Sequence, residues 1–117
     1  MKMIVNTTKN AVLSKEFSVC NSIFSKARGL MFSGPKDLVF KFSREQIIPL
    51  HMMFVFFQID VIYLDSRMKV VEIKSNFKPF SYYRPRMPAR IVIETKAGVI
   101  RKTKTEVGDQ MEIKSPE

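Results

Sequence analysis

The chain has 117 residues and a formal net charge of +9, with 45% apolar and 11% aromatic side chains. One domain, residues 1–117, is the expectation at that length, and the composition excludes a disordered chain. No apolar run reaches the roughly 20 residues of a membrane-spanning helix. The longest candidate, Ile47 to Leu64, is broken by Pro49, His51, Gln58 and Asp60.

In chain order, Met3-Ile4-Val5 reads as a short strand and Asn6 to Asn10 as a polar turn. Val12-Leu13 and Phe17-Ser18-Val19 are further short apolar pieces. Ser22 is placed to cap a helical turn over residues 23–30, since a serine oxygen accepts from an early helical N–H. Gly34-Pro35-Lys36-Asp37 predicts a turn. Leu38 to Phe42 is a strand, and Ser43 to Pro49 a loop.

His51 to Phe56 and Ile59 to Leu64 are rich in β-branched and aromatic residues, which favours strands. Their apolar runs are continuous, so both faces are expected to be covered. Asp65-Ser66-Arg67 turns the chain into a hairpin whose return strand is Lys69 to Lys74, leaving little room for a crossover helix. Asn76 to Pro88 is a loop carrying Pro79, Pro85 and Pro88. Arg90 to Glu94 alternates polar and apolar, the pattern of a strand with one wet face. Ala97 to Lys104 has room for a short helix, Val107 to Gln110 for a turn, and Met111 to Ile113 for a last strand. Gly29, Gly98 and Gly108 sit at segment ends, where turns call for positive φ. The sum is a mostly-β domain of six to seven short strands with one or two short helices, either barrel-like or a sandwich.

A set of segments in fixed order carries a family resemblance. They are Lys26 to Phe32, His51 to Asp65, Val70 to Ile73, Pro88 to Glu94, Ala97-Gly98 and Val107 to Asp109. Together they resemble the family known as domain of unknown function 192, over residues 26 to 113. The aromatic–methionine pair usual at the start of that family's central strand is His51-Met52 here, as in archaeal-looking members. Gln58 stands where a proline often does. The resemblance implies a compact β-rich fold and no particular reaction.

Charge is unevenly placed. From Arg67 to Lys104 there are eleven basic residues and two acidic ones, a net +9, and the rest of the chain balances nine against nine. Within that span Phe77 to Arg86 interleaves rings with cations. Rings stack on unpaired bases while cations sit on phosphates, which is the physics of single-strand binding. Candidate anion-binding residues are Lys78, Tyr82, Tyr83, Arg84, Arg86, Arg101, Lys102 and Lys104. The plainer alternative is a solvated basic face that serves solubility, with some of the rings tucked into the core.

A second candidate group is a pocket of Arg28, His51, Asp60 and Arg90. A carboxylate inside Gln58-Ile59-Asp60-Val61-Ile62 is expensive to bury without partners. Arg28 and Arg90 are the expected ones, as a structural staple or as the wall of a ligand pocket. Glu94 is the other carboxylate that pairing with Asp60 would require. His51, the sole histidine, heads an apolar strand. That suits a packed imidazole, or a catalytic partner for Cys20 if the two meet in space.

One histidine and one cysteine do not make a zinc site, and no phosphate-cradling glycine pattern is present, so no metal and no cofactor is expected. A lone cysteine and an N-terminus with too short an apolar run for a signal peptide predict a cytoplasmic protein. Three functions stay open: a binding module for nucleic acid or another polyanion, an enzyme or small-ligand binder built on the pocket, and a protein-interaction domain using a sheet edge or the aromatic loop.

Overall fold

The computed structural model describes residues 2–20, 37–51 and 57–114, with His51 described by its backbone alone. Ten strands occur among them: β1 Met3–Asn6, β2 Ala11–Ser14, β3 Ser18–Cys20, β4 Leu38–Gln46, β5 Leu50–His51, β6 Ile59–Leu64, β7 Val70–Phe77, β8 Tyr82–Tyr83, β9 Ala89–Lys96 and β10 Met111–Lys114. One short helix, α1, covers Val99–Thr103. The surplus over six or seven comes from pieces of two or three residues, β3, β5 and β8. The expected helical turn after Ser22 and the turn at Gly34 fall outside the described residues.

The strands form three open sheets. The central one has the order β3-β4-β9-β6-β7, flanked by β10-β1-β2 and by the two-stranded β5-β8. No closed barrel is present among the described residues, and the arrangement is sandwich-like. The hairpin at Asp65 forms as expected. Asp65 Oδ1 accepts the N–H groups of Arg67 and Lys69, and β6 pairs antiparallel with β7.

β6 is buried at all six positions because it lies between β7 and β9 and has both faces covered. Successive side chains of a strand point to opposite faces. Ile59, Val61 and Tyr63 accordingly join Phe40, Leu50, Phe77 and Val92 in one cluster. Ile62 and Leu64 join Ile4, Leu13, Phe17, Ile93, Ile100 and Met111 in another. The three-stranded sheet and α1 cover the second cluster, while β5, β8 and the chain leading into them cover the first. Full burial of one such apolar side chain contributes roughly 1.5–3 kcal/mol.

Two expectations are corrected. β9 has no wet face along its centre: Ile91 to Thr95 are all buried, because both faces of the sheet are covered there, Val92 packing into the first cluster and Ile91 and Ile93 into the second. β4 runs on to Gln46 through residues expected to be loop, as an exposed extension that pairs again only at Gln46–Ala89.

Candidate functional site

The segment 78–88 is tied to β7 by one carboxylate. Glu72, on the edge strand β7, accepts the Tyr83 hydroxyl through Oε2. Its Oε1 accepts the backbone N–H groups of Arg86 at 2.8 Å and Met87 at 3.0 Å. Tyr83 packs its ring 6.2 Å from those of Tyr63 and Phe77, and the Lys74 ammonium stands 5.4 Å over its face. Burial, and then the bond and charge of Glu72, push the Tyr83 phenol up to about 12. Tyr83 is therefore an anchor.

Strand alternation turns its neighbour outward. Tyr82 is 60% exposed, Phe80 59% and Met87 46%, the three large exposed apolar groups of this segment. Phe80 adopts φ +59°, a left-handed conformation uncommon for a bulky residue, which belongs to the tight turn before β8. Lys78, Arg84 and Arg86 are exposed around these rings. In the β5–β8 ladder His51 lies opposite Tyr82, so one candidate from the pocket group has its backbone alongside the aromatic–basic segment.

The remaining basic candidates stand elsewhere. Arg101 and Lys102 occupy the last turn of α1, and Lys104 is its left-handed C-cap. Cations there complement the helix dipole. Because Ile100 packs into one cluster and Tyr83 against the other, α1 and the 78–88 segment cover opposite faces of the central sheet. The basic residues that are continuous in sequence are thus divided into two groups.

Asp60 is buried, and among the described residues its partners are backbone amides. Its Oδ1 accepts the N–H of Asn76 at 2.9 Å, and its Oδ2 accepts those of Gly98 at 3.0 Å and Ile100 at 2.8 Å. It fixes the end of β7 and the first turn of α1 to the central sheet. Gly98, the N-cap, has φ +101°, which a residue with a Cβ adopts at a cost. The expected pairing with Arg90 is corrected. Arg90 is exposed and donates Nε–H to the Phe42 carbonyl at 3.1 Å. Asp60 pairs with Thr95 in the β6–β9 register, five residues along from Arg90, or roughly 16 Å at strand spacing. Arg28 lies outside the described residues.

Glu94 does not join Asp60. It pairs in register with Val61, one position on, and so points to the other face. There, Glu94 is fully buried near Tyr63, whose phenol is raised first by burial and then by the charges of Tyr83, Glu94 and Glu72. Tyr63 donates its hydroxyl to the Ile48 carbonyl. Cys20 is half-buried against the same cluster. Among the described residues no three His, Cys, Asp or Glu side chains are grouped to hold a metal ion.

A buried polar network at the end of β1 escaped the sequence reading. Asn6 donates Nδ2–H to Asp109 at 2.8 Å and to the Thr105 hydroxyl at 3.0 Å. Lys9 bridges Asp109 and Glu106 at 2.8 and 2.7 Å. The signal available was the Val107-Gly108-Asp109 turn; its partners about 100 residues away carry no local mark. Glu72 was more legible, as one of only two acids among eleven bases.

These features define a small, open β sandwich that exposes rings and cations on the 78–88 loop and further cations on α1. Comparison with known proteins gives the family. The profile of DUF192, described as Uncharacterized ACR, matches residues 4–113, and the chain belongs to that family. A UPF0127 protein of Pyrococcus horikoshii is 38% identical over 112 residues, covering 93% of this chain and 96% of its own. One from Thermococcus sibiricus is 35% identical over 114 residues, covering 94% and 73%. Two crystal structures share the fold. A Sinorhizobium meliloti 1021 protein, provisionally described as a transcription regulator, has a TM-score of 0.79 at 18% identity, over 96% of this chain and 91% of that one. A Novosphingobium aromaticivorans protein of unknown function has 0.80 at 21%, over 96% and 84%. No helix among the described residues is long and apolar enough to cross a membrane.

Proposed function

We propose that this protein is a cytoplasmic binding module for single-stranded nucleic acid, which it engages through the 78–88 segment. The observation that carries the reading is the exposure of Phe80 and Tyr82 beside Lys78, Arg84 and Arg86, on a loop that Glu72 ties to the sheet. Rings of this kind stack on unpaired bases whatever the sequence, and each stacked base is worth about 1–3 kcal/mol. The cations supply phosphate contacts. Tethering by Glu72 lowers the entropy lost when the loop is ordered on binding. Arg101, Lys102 and Lys104, across the sheet, add long-range attraction and lie outside the contact surface.

The test is binding of a fluorescent oligothymidine to the wild-type chain, to Tyr82→Ala and to Phe80→Ala at low salt. Each truncation is expected to weaken binding by tenfold or more, and Tyr82→Ala, whose ring is exposed, to leave the melting temperature in place. Equal affinity for duplex and single strand would point to simple charge attraction. No affinity for either, with an apolar peptide bound instead, would favour protein docking on the same patch.

A further inference from the structure

A second cationic surface stands at the far end of β9. The 78–88 segment leads into that strand at Ala89, and Lys96 ends it roughly 23 Å away at strand spacing. There Lys2, Lys15 and Lys96, from three separate segments, line an open and mostly polar cleft of about 700 Å³. Val99, the first residue of α1, lines it too. Lys102 follows Val99 by three positions and so shares its helix face, with Arg101 and Lys104 as neighbours. These cations outnumber the two carboxylates of the lining, Glu16 and Asp37. Asp37 is already engaged, accepting the Lys96 backbone N–H at 3.1 Å.

The apolar residues of this cleft are covered. Leu13 and Phe17 are buried, and the Lys2 ammonium stands 4.8 Å over the Phe17 ring. Nothing is left there to stack on a base. Open cations with no exposed ring suit a phosphate backbone, which is held by positive charge and carries no sequence information. Leu13 and Phe17 belong to the second cluster while Tyr83 packs against the first, so the cleft and the 78–88 segment lie on opposite faces of the central sheet.

We infer that a single strand long enough to leave the 78–88 segment runs on to this cleft, which holds its phosphates and leaves its bases free. The inference rests on the proposed nucleic-acid reading and adds a length to it. A strand confined to the loop feels these lysines only at a distance. A longer one neutralises its phosphates on them. The preferred partner is thus an extended single strand, stacked at one end of β9 and gripped by its backbone at the other.

The probes are oligothymidines of about 4 and about 16 nucleotides, the limits of common single-strand sites, with strand in excess so that each carries one protein. The variant combines Lys15→Ala, Lys96→Ala and Lys102→Ala, three exposed side chains whose loss should leave the fold in place. For the long strand it is expected to make the slope of log affinity against log salt shallower by about 2.1, at about 0.7 for each lost phosphate contact. For the short strand the slope should move by less than one such contact, about 0.7. Should the triple variant fail to fold, Lys15→Ala with Lys102→Ala is expected to give about 1.4 on the long strand. An unchanged long-strand slope, or an equal change for both lengths, overturns the inference while the short strand, still bound, upholds the 78–88 reading. A wild-type chain that holds neither strand overturns both.

Discussion

Oδ2 of Asp60 accepts the backbone N–H of Ile100 at 2.8 Å, joining a fully buried strand residue to the second residue of a five-residue helix 40 positions later. So short a helix does not stand alone, because nucleation is unfavourable and little propagation follows. With the Gly98 and Asn76 amides on the same carboxylate, Asp60 makes the helix and the end of β7 one unit with the central sheet.

Asp60→Ala leaves the buried Ile100 N–H and the part-buried Asn76 and Gly98 N–H groups without their acceptor, and is expected to destabilise the protein by about 2–3 kcal/mol. Asp60→Asn keeps one acceptor oxygen and should lose less. Chemical denaturation of the two variants measures both. A ligand-contacting role would instead leave Asp60→Asn as stable as the wild type.

Stability should fall in acid through Asp109. Burial pushes its carboxyl upward, but hydrogen bonds from Asn6, Lys9 and the Glu106 amide outweigh that and hold it below the ordinary value. A carboxyl lowered in the folded state stabilises the protein above its unfolded value, near 3.9. That contribution is lost as pH falls through the lower, folded value. Asp109→Asn should therefore cost roughly 1.5–3 kcal/mol at neutral pH and flatten the acid limb of a melting-temperature profile. Lys9, raised chiefly by its bond to Asp109, acts on the opposite side. Its contribution disappears only as pH rises through a value above that of ordinary lysine.

Tyr83 reports on the loop anchor. Its phenol should ionise at about 12, and a spectrophotometric titration should lose that late step in Tyr83→Phe. Glu72→Gln should move the step downward, because the carboxylate adds to the effect of burial. A raised phenol stabilises the fold in full below the unfolded value near 10, and the loop should loosen as pH climbs through about 12.

The contrast between legible and hidden features has a physical basis. β6 and its hairpin are readable because a continuous apolar run bounded by a turn has few other solutions, and residues 59–64 are buried throughout. β9 misleads because Glu94, fully buried, mimics a solvent-facing polar position in the pattern. For Asp60 the sequence exposes the cost of burial, but the compensation comes from backbone amides 16 to 40 residues away, which no side-chain inventory lists. The basic stretch marks a charge excess correctly. Only the sheet, with the loop on one face and α1 on the other, divides it. Gly98 and Gly108 do take positive φ, at +101° and +98°.

The central claim is that Arg84 and Arg86 neutralise phosphates while Tyr82 and Phe80 stack. It is tested most directly by the slope of log affinity against log salt for an oligothymidine. Each phosphate contact on a single strand contributes about −0.7 to that slope. Arg84→Ala with Arg86→Ala should make it shallower by about 1.4 and lower affinity at every salt concentration. An unchanged slope and affinity in that double variant, with the protein folded, would contradict the account.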